Sequence, residues 1–262
     1  MTASSELILS ERDGDVLTLT LNRPDQYNAL SEEMLAALQG AIDACRADET
    51  LRAVVLAANG RAFCAGHDLK QMRSHEGDEA YYRTLFGQCG RLMQSLMQLP
   101  VPVIARVHGT ATAAGCQLVA SCDLAVAAHS ARFAVSGINV GLFCSTPAVP
   151  LTRNVPIKHA FEMLVTGQFI SAEQAAARGL VNHVVPDDEL DSAVRGLVDA
   201  IVSKSPLAIR TGKAMVYRQL GLPLDQAYDF ASQVMAGNML AADAEEGIDA
   251  FMQKRPARWQ GK

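Results

Sequence analysis

Apolar and polar positions along this chain predict a β/α core followed by a helical C-terminal third. Residues 7–23 alternate well enough for a hairpin, with Glu11 to Gly14 as its turn and Val16, Leu17, Leu19 and Leu21 in its second strand. Ser31 reads as an N-cap ahead of Glu32 and Glu33, and Leu35, Leu38, Ile42 and Cys45 then form a helical stripe. Residues 53–58 are a continuous apolar run, the pattern of a strand buried on both faces, closed by Asn59 and Gly60. A polar patch at residues 75–79 leads into a second stripe, Leu85, Cys89, Leu92, Leu96 and Leu99. Pro100 and Pro102 stop that helix, and residues 101–107 read as a short apolar strand.

Further strands are predicted at residues 124–128, 132–135 and 181–185, with an irregular stretch over 137–150 that contains Gly141, Pro147 and Pro150. A helix over 158–166 ends at Gly167, and Ser171 with Gln174 forms a capping box for a helix that Gly179 closes. Beyond Pro186 the pattern is nearly all helical. Ser205 and Pro206 are an N-cap and first-turn proline, with two more helices before Phe251. The expected division is a core over residues 1–200 and a helical oligomerisation region over 201–262.

Two stretches interrupt this pattern in the same way. Residues 61–72, RAFCAGHDLKQM, and residues 108–114 with the helix expected from Gly115 are small-residue turns, each after an apolar strand. A packed strand–helix junction would use the same residues, because Gly and Ala let two elements approach. A strand, a tight turn and a helix N-terminus also present backbone N–H groups to a ligand, at the end of the helix dipole that favours negative charge. If the two strands are neighbours, both turns lie at one sheet edge. Their N–H groups then converge on one carbonyl oxygen, which is the arrangement of an oxyanion hole.

Composition narrows the field. The 262 residues are 49% hydrophobic and 19% charged, with a net charge of −5, which argues against nucleic acid or an anionic membrane surface as the main partner. No apolar run reaches membrane-spanning length, and the first residues lack the basic and apolar regions of a secretory signal. Six scattered cysteines, without a C-x-x-C pair or a histidine at metal-ligand spacing, suit reduced thiols in a cytoplasmic protein. Neither a metal nor a disulfide framework is expected. No Ser/His/Asp spacing or G-x-S-x-G motif supports nucleophilic hydrolysis.

RAFCAGHDLKQM, VPVIARVHGTATAAGCQL and CDLAVAA with ARFAVSGINVGL closely resemble the crotonase superfamily, the enoyl-CoA hydratase/isomerase family. The resemblance continues through NRPDQYNALS, TGQFISAEQAAARGLVNHVV and GIDAFMQKR, and so covers nearly the whole chain. It implies an α/β fold, a spiral of β–β–α turns with a C-terminal helical trimerisation region. It also implies an acyl-CoA substrate, with coenzyme A entering as part of that substrate and no separate cofactor, in a homotrimer or a dimer of trimers. Carried over position by position, the backbone N–H groups of His67 and Ala114 form the oxyanion hole. Ala65, Gly66, Asp68, Leu69 and Lys70 fall at the adenine pocket, and Arg23 near the pantetheine and phosphate end. Phe251 and Lys254 match positions that reach a neighbouring subunit's coenzyme A.

The sequence departs from the family where its hydratases carry two glutamates, which here are Gln117 and Gly137. Hydration needs one group to activate water and another to manage the α-proton, and neither residue does either. Three readings follow: a hydratase-like enzyme of non-standard mechanism, a decarboxylase whose bond cleavage itself generates the enolate, and a catalytically silent acyl-CoA-binding subunit. For decarboxylation the His67 side chain is a further donor. Ser136, Asn139, Ser145, Cys116 and Cys144 fall near the expected acyl pocket, with Tyr81 and Tyr82 on a segment that could close over it.

Overall fold

The computed structural model describes residues 6–262, so the reading of the first residues falls partly outside it. Among the described residues ten strands form two sheets. The larger contains β1 (Ile8–Asp13), β2 (Val16–Leu21), β3 (Ala53–Ala58), β5 (Val103–Val107), β7 (Leu124–Ala128) and β10 (His183–Val185), in that spatial order. The smaller orders β4 (Ala62–Cys64), β6 (Thr110–Thr112), β8 (Arg132–Ala134) and β9 (Ile170–Ser171). Only the β1–β2 hairpin and the β8–β9 pair are antiparallel. The helices are α1 (Glu32–Ala47), α2 (Leu69–Arg73), α3 (Glu79–Met97), α4 (Ala114–Ser121), α5 (Ser145–Asn154), α6 (Ile157–Thr166) and α7 (Ala172–Ala177). The C-terminal set is α8 (Leu190–Val202), α9 (Pro206–Gln219), α10 (Leu224–Met239) and α11 (Ala242–Met252).

The chain repeatedly runs from a long strand to a short strand to a helix, which is the expected β–β–α spiral. Both faces of the larger sheet are covered, which is why its parallel strands are apolar without alternation. Val54, Leu56, Val103 and Ala105 face the main core with α1 and α3, whereas Ala53, Val55, Ile104 and Val126 face α8.

Four expectations need correction. Residues 137–150 are not irregular throughout, because α5 begins at Ser145 and contains both prolines. Pro147 sits in the first turn, where an N–H lacks a helical acceptor anyway, and burial of Pro147, Pro150 and Leu151 holds the helix together. The strand after Pro102 starts at Val103, although the Pro102 carbonyl already accepts from Val54 N–H at 2.9 Å. The strand expected from Val181 starts at His183, after the Asn182 side chain has taken Ala125 N–H at 2.8 Å. Finally, α11 runs through Phe251, beyond the point where the pattern has its last helix end.

The C-terminal helices are tied to the core by a buried cluster. Lys213 Nζ donates to the Leu96 and Val101 carbonyls at 3.2 and 2.9 Å and to Asp123 Oδ2 at 2.6 Å. Asp123 also accepts from Tyr217 Oη and from Val103 N–H, so this carboxylate holds the start of β5.

Candidate active site

Strands β3 and β5 are parallel neighbours, as the sheet-edge reading requires. The turns themselves follow the short strands β4 and β6, which pair in parallel in the second sheet. Gly66, at φ +91°, lets the first turn approach the second: a Cβ built on it would lie 2.9 Å from Ala113 Cβ and 3.2 Å from Ala114 N. Only a residue without a side chain allows that approach at that φ.

Two backbone donors are left open at this junction. Leu30 N–H donates to Gly66 O at 2.8 Å and Asp68 N–H donates to Leu30 O at 3.2 Å, a bridge that skips the N–H of His67. In the second turn Ala113 N–H donates to Ala134 O and Gln117 N–H to Ala113 O, while Ala114 is the first residue of α4. Neither His67 N–H nor Ala114 N–H has an acceptor among the described residues. Ala113 adopts φ 50° and ψ −119°, a conformation that a residue with a Cβ reaches only under strain, of about 1–3 kcal/mol. The packing of the two turns holds it there and aims the next N–H out of the helix.

The junction opens into a cavity of about 250 Å³. Ala65, His67, Ala113, Ala114, Ser136 and Gly137 line one side, and Met72, Phe86, Leu142 and Phe143 supply apolar wall. No Asp or Glu lines it. His67 Nε2 is buried without a hydrogen-bond partner, its ring packed edge-on to Phe86 at 5.4 Å. Burial pushes the imidazole down to about 4, so His67 is neutral at ordinary pH. A larger groove of about 650 Å³ on the opposite face of the first sheet, beside Thr18, Arg106 and His108, holds none of the candidates.

The positions of the two absent glutamates differ in kind. Gln117 is buried and does not line the cavity; its Oε1 lies 4.0 Å from Cys89 Sγ. Gly137 does line it, but the following loop has closed over it. Leu142 N–H donates to Gly137 O at 3.0 Å, and Gly137 N–H donates to Cys144 Sγ at 3.3 Å. A Cβ at 137 would lie 2.5 Å from the Leu142 carbonyl oxygen and 2.7 Å from Cys144 Sγ. The loop backbone and the thiol thus fill the room a side chain would need.

Of the residues expected to hold coenzyme A, one group comes together. Asp68 caps α2 through Lys70 and Gln71 N–H and pairs with Arg23 at 3.1 Å, next to Ala65, Gly66, Leu69 and Lys70. Phe251 and Lys254, expected at a neighbouring subunit's coenzyme A, stand apart from this group within the chain: Phe251, 84% exposed, lines a separate groove with Trp259 and Ile248. Ser136, Ser145 and Cys144 line the cavity, whereas Asn139 bonds the Gly167 carbonyl, and Cys116, Tyr81 and Tyr82 lie outside the lining. Sequence reasoning missed Met72, Phe86, Leu142 and Phe143. The available signal was Phe86, an apolar residue beside the buried stripe of α3 rather than on it. Among the described residues no group of three or more His, Cys, Asp or Glu side chains could hold a metal ion, and no helix is long and apolar enough to cross a membrane.

Fold and junction together define a β–β–α spiral protein with paired small-residue turns at one cavity. The enoyl-CoA hydratase/isomerase family model matches residues 11–262, and the chain belongs to that family. It is 45% identical over 244 residues to the human mitochondrial enoyl-CoA hydratase domain-containing protein 3, covering 93% of this chain and 80% of that protein. The crystal structure of a Mycobacterium smegmatis enoyl-CoA hydratase is 57% identical, with a TM-score of 0.95 over 97% of this chain and 98% of that one. The crystal structure of the human domain-containing protein 3 is 43% identical, with a TM-score of 0.93 over 97% of this chain and all of that one.

Proposed function

We propose that this protein binds acyl-CoA thioesters and polarises their carbonyl between His67 N–H and Ala114 N–H, without the two-carboxylate chemistry of hydration. The observation that carries this reading is the pair of open donors on a cavity that no carboxylate lines. Two donors stabilise an enolate oxygen, with each such donor worth about 10²–10³ in rate where the hole operates. Neither family carboxylate is there to activate water: Gln117 cannot take a proton, and Gly137 has no side chain and lies against its own loop. The Arg23–Asp68 pair and the start of α2 form the rim that receives the coenzyme A end.

The test pairs binding with turnover. Butyryl-CoA binds the purified protein, and but-2-enoyl-CoA is not hydrated with sustained turnover; absence of butyryl-CoA binding sinks the reading.

A second reading, decarboxylation of a malonyl-type thioester, is favoured by the neutral, unpartnered His67 Nε2 in an acid-free cavity. An anionic carboxylate entering there meets no like charge. Malonyl-CoA and methylmalonyl-CoA left intact by the protein exclude it.

Exposed apolar side chains in the C-terminal helical region, Leu224, Tyr228, Met235, Leu240 and Phe251, support assembly into a trimer or a dimer of trimers. Six free thiols support a cytoplasmic location.

A further inference from the structure

The closure over Gly137 places a thiol where the family's second glutamate would begin. Cys144 Sγ is 2.7 Å from the Cβ that a side chain at 137 would have, and it is held there by Gly137 N–H. Cys144 contributes the only thiol that lines the cavity among the described residues; Cys45, Cys64, Cys89, Cys116 and Cys122 are buried elsewhere. The same cavity is lined by His67, whose Nε2 is buried and unpartnered, and by Ala114, so thiol, imidazole and the two open N–H groups share one mainly apolar cavity.

We propose that Cys144 adds reversibly across the double bond of a 2-enoyl thioester bound in this cavity, making a covalent thioether adduct in place of a hydrated product. The inference rests on the acyl-CoA reading above. In the step, a bond forms between Cys144 Sγ and the β-carbon, and the carbon–carbon π bond breaks. Its electrons move through the α-carbon onto the thioester oxygen, where the two N–H groups hold the enolate. The thiol proton ends on the α-carbon. No oxidant, water or leaving group is involved, and coenzyme A stays attached. Reversal returns the thiol and the enoyl thioester, so the adduct retains a ligand without consuming it.

The thiolate is the nucleophile, and burial raises the Cys144 thiol above its ordinary value. Adduct formation therefore accelerates with alkalinity, by about tenfold per pH unit while the thiol remains mostly protonated.

The experiment mixes the full chain with but-2-enoyl-CoA at near-equal concentration and follows the conjugated thioester absorbance. After an acid quench, intact mass and peptide mapping locate any adduct. The inference requires loss of one equivalent of absorbance per chain and a mass gain of the whole but-2-enoyl-CoA on the peptide that carries Cys144. C144A, with its fold checked by circular dichroism, must show neither. Unmodified wild-type protein that nevertheless binds butyryl-CoA overturns the covalent step alone. A mass gain of the acyl group without coenzyme A, or an adduct on another cysteine, overturns it as well. Failure of wild-type protein to bind butyryl-CoA instead overturns the acyl-CoA reading on which it stands.

Discussion

Gly115 lies directly against Cys64. A Cβ built on it would come within 2.8 Å of the Cys64 carbonyl carbon and 2.9 Å of Cys64 Cβ, and would run into the carbonyl oxygen. This contact sets the spacing of the two turns and hence of the His67 and Ala114 N–H groups. G115A should force the turns apart, lowering stability by about 1–3 kcal/mol through overpacking. Butyryl-CoA binding should weaken more than that loss of stability explains. Thermal unfolding and a binding isotherm on the same preparation check both.

Restoring the glutamates separates their two positions. Q117E keeps the side-chain volume but buries a carboxyl group, and should fold with that group protonated. G137E meets the Leu142 carbonyl and the Cys144 thiol, and should cost about 1–3 kcal/mol or more, as overpacked cores do. The double variant should show no large gain in but-2-enoyl-CoA hydration, because the loop rather than the missing acid alone blocks the site. Hydration approaching ordinary enzymatic turnover in that variant would show that the loop yields.

His67 makes stability depend on pH in a definite window. Burial holds its folded pKa at about 4 against an ordinary 6.5, so between those values the unfolded chain binds more protons. Stability contributed by neutral His67 is therefore complete above the ordinary value and is lost as pH falls toward 4, by about 3 kcal/mol in all. H67F removes the titrating group and should flatten this part of the curve. Urea midpoints across the acidic range measure the difference.

The Lys213–Asp123 pair anchors α9 to the core. K213M or D123N alone leaves one buried charge without its partner and should cost about 3–5 kcal/mol. The double variant should cost less than the sum, since the two groups interact directly. Calorimetry on the three variants gives the coupling.

Much of the fold was legible because the chemistry was local. The apolar run of Ala53–Ala58, the Ser31 N-cap and the Ser171–Gln174 capping box each specify an element from a few adjacent residues, and the structure shows all three. The small-residue turns were legible as turns, and family resemblance placed them together. Their supporting strands β4 and β6 were not, because three residues are too few for a period to register. Helix α5 was misread since Pro147 and Pro150 usually stop a helix, and only burial against the core overrides that tendency. In the site, the absence of carboxylates could be read from Gln117 and Gly137. The closure of the loop could not, since it depends on where Leu142 and Cys144 fold back. Phe86 entered the cavity through helix orientation, which no linear motif records.

The central claim is that the thioester-binding half of the site is intact while the proton-transfer half is absent. Single-mixing kinetics of but-2-enoyl-CoA with an excess of substrate over wild-type protein tests it most directly, with butyryl-CoA binding measured alongside. The account predicts saturable butyryl-CoA binding and no loss of enoyl absorbance beyond about one equivalent per chain. Sustained hydration at about 1–10³ s⁻¹, the range of ordinary enzymes, would contradict it.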